Sequence, residues 1–229
     1  MRRFLLPVLA PVLAIAALGL SSCISLLPKT DPVQMYRFGY DAGLLEAAPA
    51  ARQGVPVALS LGPVVFPPGS AGDGIMTVEN NEIAYVEKAR WAAGARELFT
   101  EAVQAGYARS GGNVRLEPRG RSAAAYRLDV AVRGFETRYV RGKPVVVVGL
   151  DARLSRQSDR TVVATKYITR EVPIRRNDMS MTVEGYNLAV TQAVDDLIGF
   201  SQETLSPMAP PPTPFTEMPK DGKQKVEGL

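Results

Sequence analysis

The sequence predicts an α+β domain of two layers, a largely antiparallel sheet with two amphipathic helices on one face. Three observations lead there: period-two alternation within residues 126–173, two separate stretches with apolar residues at three- and four-residue spacing, and no repeat of solenoid length.

At 229 residues, 46% of them hydrophobic and 22% charged, the chain is long enough for one domain with appendages or for two small ones. It contains no histidine, which excludes Ser-His-Asp and Cys-His relays, His-ligated zinc or haem, and the ordinary imidazole pH switch. Its 1 cysteine cannot close an intrachain disulfide, so an exported chain must stand on its core. No catalytic residue, metal site or cofactor is expected.

The amino terminus explains that cysteine. Arg2 and Arg3 precede an almost wholly apolar stretch, residues 4–20, and then Leu20-Ser21-Ser22-Cys23. These are the charged, apolar and small-residue regions of an export signal. Cleavage between Ser22 and Cys23 resembles lipobox processing in bacterial lipoproteins, where the thiol is diacylglycerylated and the freed amine acylated. An uncleaved anchor is the alternative, but residues 4–20 include Pro7 and Pro11 and reach only the short edge of a membrane span. Each buried CH₂ contributes about 0.8 kcal/mol, so several acyl chains on Cys23 would hold the protein to a membrane permanently. Lipoprotein sorting retains chains with Asp after the acylated Cys in the inner membrane. Here that position is Ile24, which implies the outer membrane, periplasmic face.

The expected organisation is a signal peptide over 1–22, a lipidated tether over 23–32, a domain over 33–205 and a Pro-rich disordered tail over 206–229. The domain opens with a strand-like run, Val33-Gln34-Met35-Tyr36-Arg37-Phe38, and an Ala-rich connection over 42–54. Residues 55–66, rich in Val and Leu, form a strand that stops at Pro67-Pro68-Gly69. Short strands over 74–78 and 82–88 are joined by Asn80-Asn81. The clearest helix follows Trp91, with Ala95, Leu98, Phe99, Ala102, Val103, Gly106 and Tyr107 on one stripe before Gly111-Gly112. In a meander, Tyr126, Leu128, Val130 and Val132 alternate with polar residues, and Gly142-Lys143-Pro144 turns into a strand over 145–154. Residues 155–159 turn into 161–173, whose alternation assigns no buried face. A second helix over 181–205 aligns Val183, Tyr186, Val190, Ala193 and Leu197. Proline then supplies 6 of the 13 residues of 207–219, which ends regular structure.

Charge is unevenly spread. Removing residues 1–22 lowers the formal net charge from +4 to +2, yet residues 115–176 alone hold 15 Lys/Arg against 6 Asp/Glu. Arg133, Arg138, Arg141 and Lys143 stand near a strand end and turn, and they are the candidate contacts with an acidic partner or anionic headgroups. Alternating arginines on the solvent face of a sheet are equally an ordinary solubility device. Arg90-Trp91 at a strand-to-helix junction favours a core anchor over a binding contact. Asp195-Asp196 diverge by about 100° on a helix and make a poor acid/base pair. Gly142-Lys143 lacks Walker spacing, since residue 137 is Thr and 144 is Pro. No nucleic-acid-binding motif is present.

The most specific stretch is Glu82-Ile83-Ala84-Tyr85-Val86-Glu87-Lys88-Ala89-Arg90-Trp91 followed by Leu98-Phe99, a strand carrying Tyr, a basic-Trp pair and an amphipathic helix. With Leu128-Asp129-Val130 and Phe135, it resembles the ABC-type transport auxiliary lipoprotein family over most of residues 23–205. The departures are the connection 42–54 and Ala92-Ala93-Gly94, where the family often carries an acidic residue after Trp. Members of that family accompany mammalian-cell-entry (MCE) type ABC transporters, which move lipids between the two membranes of Gram-negative bacteria. The resemblance implies a non-catalytic accessory whose partners are an MCE-domain protein and an ABC permease/ATPase complex. It adds anionic phospholipid as a ligand and leaves room for a homo-oligomer. An envelope-assembly or cell-wall-binding lipoprotein without a transport role would share the anchor, and neighbouring genes for a permease, an ATPase and an MCE protein would separate the two.

Overall fold

The computed structural model describes residues 32–45, 56–117 and 124–208. The signal peptide, Cys23 with its lipobox, the tether as far as residue 31, residues 46–54 of the connection and the tail beyond 208 lie outside them. Strand β1 (Gln34–Tyr36) begins at the boundary between two compact units, Met1–Gln34 and Met35–Leu229, and all later elements belong to the second. These are β2 (Val57–Leu61), β3 (Gly74–Glu79), β4 (Glu82–Trp91), α1 (Ala95–Arg109), β5 (Val114–Leu116), β6 (Tyr126–Val140), β7 (Lys143–Arg156), β8 (Val162–Pro173) and α2 (Met179–Leu205).

The fold is α+β, and the described residues form one 8-stranded sheet and two α-helices. β6, β7 and β8 form the predicted antiparallel meander, and β3 and β4 an antiparallel hairpin. The other edge of β6 is used twice by one passage of chain. β2 pairs parallel to it at Leu59–Tyr126, Val65 bridges Ala131, and β3 pairs parallel at Thr77–Thr137. Gly62 and Pro63 separate these contacts, so the strand expected over 55–66 ends at Leu61. β5 adds to β2 in parallel and has no counterpart among the predicted elements.

β6 is longer than its alternation suggests because the alternation changes phase. Leu128, Val130 and Val132 point into the core, and after the irregularity between Val132 and Gly134 it is Phe135 and Thr137 that do. One extra residue in a strand produces such a switch, and a glycine is its usual mark. The following turn is Arg141-Gly142 (φ 52° and 73°) rather than Gly142-Lys143-Pro144. Two left-handed residues make the tight turn whose twist suits a hairpin, so Lys143 and Pro144 already belong to β7. Asn80-Asn81 turns the other hairpin in the same way (φ 49° and 67°).

Both helices lie where the periodicities put them. All seven stripe residues of α1, Ala95 to Tyr107, are buried. Gly94 offers no side-chain cap, and the amides of Ala95 and Arg96 instead reach the carbonyls of Gly72 and Ala71 at 2.9 and 3.3 Å. That loop thereby supplies acceptors for the first amides of α1. α2 starts at Met179, two residues before the expected start at 181, because the Asp178 carboxylate accepts the Met181 amide at 2.8 Å. The helices cross closely at Gly106, where a β-carbon would stand 2.5 Å from Val194 Cγ1.

Between helices and sheet lies an aromatic cluster. Trp91 is buried, with its ring 4.9 Å from Phe38 and 5.0 Å from Tyr186, and Phe135 lies 5.0 Å from Tyr186. Trp91 is thus the core anchor expected of it. Its neighbour Arg90 donates to the carbonyls of Val86 and Ala89 at 3.2 and 2.9 Å, holding the wide irregularity of β4 in which Lys88 takes a left-handed conformation. β8 resisted a facing assignment because its core face is partly polar. Arg170 binds Asp196 of α2 through two hydrogen bonds of 2.6 Å, and the Lys166 ammonium lies 5.9 Å from the centre of the Phe200 ring.

Candidate functional site

With one face of the sheet under the helices, the opposite face is where exposed side chains gather. Phe135 and Thr137 contact Tyr186 of α2, so Glu136, Arg138 and Val140 project from the other side. Before the phase change the same side carries Arg127, Asp129 and Ala131. This outer face has two dissimilar ends.

At the end where β6 begins, charges alternate and pair. Arg127 binds Asp129 at 2.7 Å, Arg133 crosses to Asp151 at 2.6 Å, and Arg156 binds Asp159 at 3.0 Å. Arg153, the register partner of Asp129, makes no ion pair among the described residues. An open groove of about 800 Å³ runs here, with Val65 and Tyr167 among its walls beside Ala131, Arg133, Asp151 and Arg153. Exposed pairs of this kind each contribute about 0–1 kcal/mol, so the ladder serves solubility and strand register before it serves binding.

The end at the β6–β7 turn differs. One row across five strands reads Ile83, Val78, Arg138, Val145 and Pro173, each residue the register partner of the next. Four of the five are apolar on a face that faces solvent. Val140 stands beyond the row with 50% of its surface exposed, and Arg141 and Lys143 follow at the turn. Neither of these cations has an ion pair among the described residues.

The four cations singled out in the sequence are all exposed, but they do not form one patch. Arg133 belongs to the charge ladder, mid-strand and paired. Arg138, Arg141 and Lys143 lie together at the turn end. Arg138 is also tied down, donating to the Glu136 carboxylate at 2.6 Å. The apolar row was missed in the sequence, although Val145-Val146-Val147-Val148 carries its signal: a strand apolar at consecutive positions has two apolar faces.

No group of three metal-ligating side chains occurs among the described residues. Asp195 and Asp196 act separately. Asp196 grips Arg170, while partial burial first and the Asp196 charge second raise the Asp195 carboxyl above its ordinary value.

The family model for the ABC-type transport auxiliary lipoprotein component matches residues 43–197. The chain belongs to this family. The match runs from the connection after β1 through β8 into α2, so it contains both ends of the outer face, whereas Cys23 and the tail fall outside it. No curated protein is similar enough in sequence to count as a relative. Among solved structures, a Xanthomonas campestris protein superposes with a TM-score of 0.63 at 22% identity, covering 76% of this chain and 98% of that one. An uncharacterised protein gives 0.58 at 16% identity over 74% and 99% of the two chains. A hypothetical protein of Chlamydia trachomatis gives 0.50 at 8% identity over 66% and 98%. At these identities the likeness establishes the family fold and nothing of its chemistry.

Proposed function

We propose that this auxiliary lipoprotein is a non-catalytic component of an MCE-type ABC system that moves phospholipid between inner and outer membranes. In this reading Cys23 is acylated and holds the protein on the periplasmic face of the outer membrane, and the domain meets the transporter's periplasmic end. The observation that carries the reading is the family match over 43–197, which spans nearly the whole folded domain. The lipobox at Leu20–Cys23 and Ile24 supply the anchor and its destination. Arg133, Arg138, Arg141 and Lys143 are the candidate contacts with an acidic partner or anionic headgroups.

Purifying the tagged full-length chain from membranes in mild detergent tests this. Co-purification of an ABC permease, its ATPase and an MCE-domain protein is the expected result. Recovery with cell-wall or assembly proteins and none of those three would overturn it in favour of an envelope-assembly role.

A further inference from the structure

We infer that the turn end of the outer sheet face lies on the anionic surface of a lipid bilayer and sets which side of the domain meets the membrane. The inference rests on the reading of Cys23 as the membrane anchor. It goes further by assigning a second, non-covalent membrane contact.

About ten residues between Cys23 and the domain can reach at most ~35 Å, a length that by itself selects no face of the domain. A second contact is needed if one face is to be turned towards lipid. The apolar row is suited to it. Ile83 is 61% exposed and Val140 50%; Val78 lies on the strand between them, and Val145 continues the row on the far side of β6. Tyr85, two residues from Ile83 on the same strand face, lays its ring against Gly74 and donates its hydroxyl to the Gly69 carbonyl at 2.8 Å. That fixes an amphipathic ring at the margin, where such rings favour a bilayer interface.

The charges around the row have the complementary sign. Arg141 and Lys143 are unpaired among the described residues, and Arg175 follows β8 beside Pro144, whose carbonyl accepts the Ile174 amide at 2.9 Å. The Glu136 carboxylate on this face is already neutralised by Arg138. Glu79 and Glu82 are register partners on the opposite face, with Thr77, which pairs with the helix-facing Thr137. Glu171 stands one row inside, opposite Val147. Exposed apolar side chains flanked at the β6–β7 turn by unpaired cations match an anionic lipid headgroup layer with its acyl boundary beneath. In the groove near Tyr167, by contrast, each carboxylate is matched by a cation, Arg127 with Asp129 and Arg133 with Asp151, and its exposed apolar strip is broken up by these charges.

The test exploits the single cysteine. Full-length Ile83→Cys, Val140→Cys and Tyr167→Cys variants each carry one free thiol once Cys23 is acylated, which the intact mass verifies. Each is labelled with an environment-sensitive fluorophore and reconstituted into vesicles of brominated phosphatidylcholine with or without phosphatidylglycerol. Position 167 lies about 20 Å along the strands from the row and serves as the reference. The expected result is quenching at 83 and 140 at least about twofold above that at 167, stronger with phosphatidylglycerol and reduced by Arg141→Ser with Lys143→Ser. Equal quenching at all three positions, or none at 83 and 140, would overturn the inference, the latter leaving the row to a protein partner. Neither result bears on co-purification with a transporter, so failure here is distinct from failure of the proposed function.

Discussion

Glu136 and Arg138 form one unit on the outer face of β6: the guanidinium binds one carboxylate oxygen at 2.6 Å, and the other accepts the Phe135 amide at 2.9 Å. The irregularity at Gly134 disturbs the ladder at Phe135, and Glu136 supplies the missing acceptor. With only 9% of its side chain exposed, Glu136 depends on its cation. Arg138→Ser should therefore destabilise the fold by about 1–3 kcal/mol, because a buried acceptor loses its charged partner. Arg141→Ser and Lys143→Ser should each stay within about 0.5 kcal/mol. Urea denaturation of the three variants checks this, and equal midpoints would show Arg138 to be merely a solvated side chain.

Gly106 illustrates a conflict between local preference and packing. Alanine is favoured over glycine inside a helix by about 1 kcal/mol. A β-carbon there would nevertheless lie 2.5 Å from Val194 Cγ1 and 3.2 Å from Ile198 Cδ1. Gly106→Ala should reduce stability in spite of the propensity gain, and Gly106→Val should cost about 1–3 kcal/mol or more. Adding Val194→Ala should recover part of the loss in a double-mutant cycle. A Gly106→Ala variant that melts higher than the parent would mean that the helices can move apart freely.

How far the fold is legible in the sequence depends on whether one side chain period persists. α1 is readable to the residue, since its apolar stripe and its buried face coincide. β6 is readable to Val132 and no further, because the pattern inverts at Gly134. β8 mixes Lys166 and Arg170 with Ile168 on its core side, so amphipathic stems hide the alternation. The parallel use of one edge of β6 by β2 and β3 is a property of topology, with no local signature. At the candidate site the cations were visible as a charge excess. The row linking Ile83 to Pro173 was not, because its five members come from five separate strands.

A protein without histidine should show little change in stability through neutral pH, and among the described residues its alkaline limit is set chiefly by the two most strongly shifted buried phenols, Tyr107 and Tyr186. Tyr107 donates to the Leu197 carbonyl at 3.1 Å or shares a proton with Ser201 at 2.6 Å. Tyr186 lies 3.5 Å from the Thr137 hydroxyl. Burial, the largest influence on each, raises both pKa values well above the ordinary 10.0. A folded-state pKa raised above the unfolded one contributes stability that is complete below the unfolded value and is lost as pH climbs towards the folded one. The melting temperature should thus hold to about pH 9 and fall steeply above 10. Tyr186→Phe, which gives up only the long contact to Thr137, should weaken that fall. An unchanged alkaline profile in this variant would remove Tyr186 from the explanation.

Acylation of Cys23 and its consequence for sorting make the remaining prediction. On the proposed reading, Leu20-Ser21-Ser22-Cys23 acts as a lipobox that would direct cleavage at the only thiol in the sequence, and Ile24 would not retain the product at the inner membrane. Mass spectrometry of the amino-terminal peptide should show a diacylglyceryl addition on Cys23, and Cys23→Ala should accumulate as unprocessed precursor. After separation of membranes by density, the parent chain should follow the outer membrane and Ile24→Asp the inner one. The pair of results separates anchoring from address: an acylated parent chain found in the inner membrane would keep Cys23 as the anchor while discarding the outer-membrane assignment. A mature chain beginning at an unmodified Cys23 would discard both. The second, non-covalent contact at Ile83 and Val140 would then have to hold the domain to lipid alone. Two exposed aliphatic side chains and a few cations provide only weak, reversible attachment, so such a chain should wash off membranes at high salt.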